Sequence, residues 1–318
     1  MGERVIVTGG CGLIGRAVVA ELVERGHDVT VLDNLSKEGG RPPAAVAFQR
    51  LDLRDLDAAR AAFARHDACI NLAALIGGIG YFHRLPADII ADNDRIYAST
   101  FAAAVAARMR RMVFVSSSMV YESATEFPTR EEGLLRFPPP TTAYGFSKLA
   151  GEYYCRAFRA QYDLRYTIIR PFNACGPDES AGEEIGAAHV IPDLIRKVFE
   201  GQDPLEILGD GSQTRCFTHV RDIARGLALA LEHPAAEDED FNLSTAVETR
   251  ILDLARMIWE RCRPGVPFRV RSVPSFQHDV QRRVPEVSKA ARKMNWRAEI
   301  DLERGIDEVV RWQRGQSA

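Results

Sequence analysis

Two hydrophobic rhythms alternate along the first half of this chain. Short runs such as RVIVTG, DVTVLD, ACINLAA and MVFVSS carry consecutive β-branched and apolar residues, which suits strands buried on both faces. Between them, GRAVVAELVERG, DLDAARAAFARH and IIADNDRIYASTFAAAVAARM repeat apolar positions at helical spacing. Strands and helices in strict alternation predict an α/β fold, a doubly wound parallel sheet with helices on both faces.

The second half is less regular. A loop-rich stretch NACGPDESAGEEIGAAH precedes a helix at VIPDLIRKVFEG and the turn-rich LGDGSQTR. Beyond the acidic EHPAAEDEDF, the pattern predicts a helix at ILDLARMIWERC, a strand at FRVRSV and a closing helix around DLERGIDEVVRWQRG. These elements form a second, smaller α/β layer over the sheet. No internal repeat or low-complexity tract interrupts the chain.

With 318 residues, 46% hydrophobic and 27% charged, the chain supports one large domain or two intimate ones. A net charge of -3 with scattered basic residues argues against nucleic acid or a membrane surface as partner. The opening MGERVIVTGG passes almost at once into a strand and leaves no room for a secretory leader, so a cytoplasmic location is expected. Cys11, Cys69, Cys155, Cys175, Cys216 and Cys262 are dispersed, as are the seven histidines, and no metal site is expected.

Strand RVIVTG runs directly into TGGCGLIG, and a helix follows. That order lets backbone amides and a helix N-terminus, around Gly9, Gly12, Leu13 and Ile14, receive a pyrophosphate. Gly9 makes the turn, Gly12 admits the phosphates, and Gly15 permits close packing of helix on strand. Asp33, followed by Asn34, ends DVTVLD where a carboxylate accepts both ribose hydroxyls and repels a 2′-phosphate, which favours NAD over NADP. Lys37 and Arg41 follow closely and offer the opposing reading. Asp52 and Leu53 stand after the third strand, at the expected adenine edge.

Tyr144 and Lys148 in AYGFSK are four residues apart at a helix start and share one face. A phenol with a pKa near 10 is a poor base, but an adjacent ammonium favours the phenolate. Ser117, at the end of MVFVSS, adds a hydroxyl at a strand end, where open sheets bind ligands.

With these motifs the chain resembles an extended short-chain dehydrogenase/reductase acting on nucleotide sugars. TGGCGLIG, NLAA at 71–74, SSSMVY, YGFSK, RPFNACGP, GDGSQTRCFTHVRD and DVQRRVPEVSKA fall in that family's order and cover nearly the whole chain. The resemblance implies an NAD-binding Rossmann unit at 1–170, rejoined by 217–245, and a nucleotide-sugar unit formed by 171–216 and 246–318. It also implies a nucleotide-diphosphate sugar as partner and a homodimer joined through paired helices. Ser117, Tyr144 and Lys148 become the catalytic trio, with Lys148 also holding the nicotinamide ribose. Leu72, Ala73, Ala74 and Asn93 fall on the cofactor side, Asn93 matching the family asparagine that braces the active-site region. Ser118, Met119, Asn173, His189, Val190, Arg215 and Arg283 fall on the substrate side, with Arg282 a second candidate clamp and His83 and Arg84 candidate hexose contacts. Asn71 departs from the histidine often found at its place.

Met119 narrows the chemistry. Nucleotide-sugar 4,6-dehydratases carry TDE where this chain has Ser117, Ser118 and Met119, so elimination lacks its acid and base, and decarboxylation lacks a glutamate. The stretch NLAALIGGIGYFHRLPADIIADN resembles GDP-mannose 3,5-epimerases and GDP-fucose synthases, whose proton-moving cysteine is replaced by Met119 while His189 matches the histidine of the fucose synthases. The trio alone suffices for redox exchange at one carbon, and SSSMVY resembles UDP-galactose 4-epimerases. A nucleotide-sugar 4-epimerase is therefore expected, with a GDP-sugar epimerase/4-reductase or a net 4-dehydrogenase as alternatives.

Overall fold

The computed structural model describes residues 2–37, 40–77, 80, 84–179, 189–275 and 280–316. Seven strands form one parallel sheet: β1 (Arg4–Thr8), β2 (Asp28–Asp33), β3 (Ala47–Arg50), β4 (Ala68–Asn71), β5 (Arg111–Val115), β6 (Tyr166–Pro171) and, returning late in sequence, β11 (Glu239–Leu243). Their spatial order is β11-β6-β5-β4-β1-β2-β3, so the chain reverses direction across the sheet between β1 and β4. That reversal opens a crevice at the strands' carboxyl ends.

Alternation along β1 divides the core. Val5 and Val7 face α1 (Leu13–Glu24) and α6 (Val220–Glu232), joining Leu22, Val31 and Leu227. Ile6 points the other way, with Leu32, Phe63, Tyr97 and Phe101 beneath α2 (Leu56–Phe63), α3 (Pro86–Ala106) and α4 (Ala143–Tyr162). Burial on both faces explains the unbroken apolar strands.

A second layer is built around Ile195 on α5 (Val190–Phe199), Leu254 and Trp259 on α7 (Ile251–Cys262) and Ile306 on α9 (Leu302–Gln316). Two short parallel strands, β8 (Leu205–Leu208) and β13 (Val270–Val273), flank it, and the remaining short strands and α-helix are β7 (Ala174–Cys175), β9 (Thr214–Arg215), β10 (Thr218–His219), β12 (Thr249–Arg250) and α8 (Ser288–Met294). The helix expected at 89–109 begins at Pro86, whose fixed φ suits a first turn, and ends before Arg108 turns left-handed at φ +54°. The acidic stretch at 232–241 leads into β11, which pairs with β6 and buries Phe241. Among the described residues no helix is long and apolar enough to cross a membrane, and no cluster of His, Cys, Asp and Glu is placed to hold a metal. All six cysteines are free.

Candidate active site

One cavity of about 630 Å³ runs from the glycine turn to the second layer. Its floor is the glycine turn. Gly9 sits at φ +67°, and a Cβ there would lie 2.9 Å from the Ala73 nitrogen, so only glycine lets the turn press against β4's end. At Gly15 a Cβ would meet the Gly9 oxygen at 2.4 Å, which keeps α1 against the turn. Gly12 differs: a Cβ there would meet nothing closer than the Gly9 oxygen at 3.5 Å and would instead occupy the cavity it lines. Gly12 also starts α1 without a side-chain cap, which leaves the helix N-terminus open to an anion.

Asp33 ties the second strand to this turn. Its Oδ2 accepts the Cys11 amide at 3.0 Å and its Oδ1 accepts the Leu35 amide at 2.8 Å, so the carboxylate's position is locked while it lines the cavity. Lys37 lines this end of the cavity, whereas Arg41 lies outside it and turns to an acidic partner. Arg41 and Arg16 both reach Asp178, at 3.5 Å and 3.4 Å. Asn34, Asp52, Leu53, Leu72, Ala73 and Ala74 line the same end. The Asp52 carboxylate is gripped by Arg54, which holds it below the usual carboxylate range. A dinucleotide's phosphates, ribose and adenine therefore find a glycine cradle, a fixed carboxylate and apolar walls, and the residues present fit NAD.

Ser117, Tyr144 and Lys148 converge at the middle of the cavity. Lys148 is buried, donates to the Val115 carbonyl at 2.9 Å, and lies within 5.4 to 5.9 Å of the ring centres of Phe114, Tyr97 and Tyr144. Burial lowers its pKa to about 7. Burial pushes the Tyr144 phenol up, against the opposing pull of a hydrogen bond with Ser117 and the charge of Arg283. Ser117 Oγ also accepts the Met119 amide at 3.1 Å, capping the short turn Ser118–Tyr121.

Asn93 does not line the cavity. It is fully buried and braces from behind: its Oδ1 accepts the Leu75 amide at 2.6 Å and its Nδ2 donates to Ser147 Oγ at 3.0 Å, on the helix bearing Tyr144 and Lys148. Asn71 takes no part in the cavity either; it accepts the Thr8 hydroxyl at 2.7 Å.

Ser118, Met119, Asn173, His189, Val190, Arg215 and Arg283 also line the cavity. Asn173 is held at φ +33° with its amide donating to the Cys216 carbonyl at 3.2 Å. Arg215 is buried and donates to the Thr214 carbonyl at 2.8 Å. Arg282 and Arg283 part company: Arg283 enters the cavity, whereas Arg282 pairs with Glu248 at 2.9 Å and lies outside it. Arg84 is exposed, and His83 lies outside the described residues.

Sequence spacing did not reveal the partner of His189. Its Nδ1 meets the buried Glu179 carboxylate across the 180–188 stretch, which lies outside the described residues. Burial opposes ionisation of Glu179, yet His189 and Lys37 outweigh it and hold the carboxyl below its ordinary range. Asp193, Lys197, Phe217 and Ile251 also line the far end and were not anticipated, because ordinary helix and strand positions carry no motif.

Comparison with known proteins decides the family. The profile of the NAD dependent epimerase/dehydratase family matches residues 5–244. The chain belongs to that family. A dTDP-4-dehydro-6-deoxy-D-allose reductase of a Streptomyces species is 30% identical, over 98% of this chain and 97% of its own. A GDP-L-fucose synthase of Sinorhizobium fredii is 29% identical over 96% and 93%. Among solved structures, the UDP-glucose 4-epimerase of Thermotoga maritima with UDP-glucose superposes with a TM-score of 0.88 at 27% identity, over 99% of this chain and 100% of that one. This epimerase/dehydratase member is therefore an enzyme with a Rossmann-type NAD site. Relatives of nearly equal identity catalyse different nucleotide-sugar reactions, so overall similarity does not select one.

Proposed function

We propose that this enzyme is a nucleotide-sugar 4-epimerase working through a transient 4-keto sugar. The carrying observation is that the convergent trio Ser117, Tyr144 and Lys148 faces a thioether, Met119, where relatives that move further protons need an acid or a base. Bound NAD supplies the chemistry of taking a hydride from C4 and returning it. Tyr144 accepts the 4-hydroxyl proton and gives it back, Ser117 orients that oxygen, and the Lys148 ammonium favours the phenolate.

Gly9, Gly12, Leu13, Ile14, Asp33 and Asn34 hold the cofactor, with Asp52, Leu53 and Leu72–Ala74 around its adenosine. Asn173, Arg215 and Arg283 are assigned to the diphosphate, because guanidinium forks suit its oxygens. On this reading residues 1–170 and 217–245 serve the cofactor, and 171–216 with 246–318 hold the nucleotide sugar. Exposed Phe146 and Tyr153 on α4 and Ile90 on α3 support a homodimer through these helices.

A second reading, a GDP-sugar epimerase or 4-reductase, draws on the His189–Glu179 pair, since a carboxylate-oriented imidazole at the cavity wall can carry a proton. Incubating the enzyme with UDP-, GDP-, dTDP- and CDP-hexoses in heavy water separates the readings. A 4-epimerase inverts C4 with no net NADH and no deuterium in the sugar. Deuterium at C3 or C5 overturns it in favour of the second reading, and stoichiometric NADH in favour of a dehydrogenase.

A further inference from the structure

A buried polar chain lies behind the cavity and reaches its lining at Ser116. Glu152 stands one turn beyond Lys148 on α4 and is fully buried. Its Oε1 accepts the Ser116 hydroxyl at 2.7 Å and Arg170 Nε at 2.8 Å, and its Oε2 accepts a second Arg170 nitrogen at 2.8 Å. Arg170, on β6 and fully buried, also donates to the Tyr121 hydroxyl at 2.6 Å and to Asp240 at 2.8 Å. Tyr121 donates onward to Asn242 Oδ1 at 3.0 Å. The Asn242 amide group then donates to the carbonyls of Thr129 and Glu286, both at 3.2 Å. Thr129 in turn exchanges backbone hydrogen bonds of 2.8 Å with Val284 and Glu286, next to Arg283.

The two ends of this chain matter for the site. Ser116 precedes Ser117, and Val284 follows Arg283. A buried ion pair is a poor source of net stability, because desolvating both charges offsets their attraction. Here each charge is satisfied in a fixed geometry, and the same atoms connect α4, β5's end, β6, β11 and the segment 284–286.

We propose that Glu152, Arg170, Tyr121 and Asn242 form a positioning network that sets the distance between the trio and Arg283. Ser117 and Lys148 are held from the Glu152 end, and the Arg283 guanidinium from the Asn242 end. Assigning Arg283 to the diphosphate rests on the proposed function; the network itself does not.

Two mild variants cut it at different links while leaving the Glu152–Arg170 pair intact. Tyr121→Phe removes the Arg170–Tyr121–Asn242 connection, and Ser116→Ala removes the Ser116–Glu152 bond. Hydrogen exchange of the whole protein reads both without a ligand. Tyr121→Phe should quicken amide exchange around 284–286 by about fivefold or more while 115–119 stay protected, and Ser116→Ala should do the reverse, since one hydrogen bond is worth ~1 kcal/mol. Where the wild type turns over a nucleotide sugar, Tyr121→Phe should raise KM and Ser116→Ala should lower kcat. Exchange that is unchanged at both places, or that rises everywhere in step with a lower Tm, overturns the network as a positioning device. A wild type that binds none of the UDP-, GDP-, dTDP- or CDP-sugars overturns the proposed function alone.

Discussion

The Arg283 guanidinium lies 2.9 Å from the Met119 sulfur, so the side chain that removes one chemistry also holds a cation in the cavity. A thioether accepts weakly and transfers no proton. A diphosphate oxygen would hold the guanidinium more strongly than this sulfur does. Met119→Glu should pair with Arg283 instead. Titration with the nucleoside diphosphate that binds best should show at least tenfold weaker binding, given ~1.5–3 kcal/mol for a charge-assisted bond. Unchanged affinity would separate Arg283 from the phosphate role.

Lys148 is held in the folded state against its own charge. Its pKa falls from 10.5 to about 7, so the native protein binds its proton less firmly than the unfolded chain does. The cost is fullest at and below pH 7 and fades as pH rises toward 10.5. Lys148→Met should therefore raise the Tm of cofactor-free protein at pH 7, less so at pH 9, and lower turnover by about 10²-fold or more. Scanning calorimetry at the two pH values with rate measurements checks both.

Tyr144→Phe keeps the ring in its buried place and removes the proton carrier. Turnover should drop by about 10²–10⁴-fold while NAD binding, read by fluorescence, remains. Near-normal turnover would remove Tyr144 from the chemistry.

Glu131 is buried, accepts the Asn242 amide at 2.8 Å, and burial raises its pKa from 4.5 to about 7. A raised carboxyl costs nothing below pH 4.5. It destabilises increasingly as pH climbs to 7 and fully above it. Glu131→Gln should raise stability at pH 8 by up to about 3 kcal/mol and leave it unchanged at pH 4, as denaturant titrations would show.

Asp33 joins ligand and loop. Asp33→Ala loses the Cys11 and Leu35 bonds, so NAD affinity should fall by at least about tenfold, measured by calorimetry. The fall should be smaller for NADP, because the like-charge repulsion disappears as well.

Local order was written into the sequence wherever a short-range constraint acts. The glycine turn of TGGCGLIG, the strand DVTVLD and the four-residue spacing of Tyr144 and Lys148 all depend on backbone sterics and periodicity, which act within a few residues. The parallel sheet followed from the same rhythm, since β-branched strands alternating with amphipathic helices have few ways to bury both faces.

Contacts between distant segments were decided only by the tertiary structure. Neighbouring Arg282 and Arg283 look alike in sequence, yet one pairs with Glu248 outside the cavity and the other enters beside Met119. Asn93 became a brace because α3 brings it under Ser147, and His189 gained Glu179 because the chain folds back. Such pairings depend on how helices and strands dock, a sum of many packing contacts over the whole chain that no local spacing encodes.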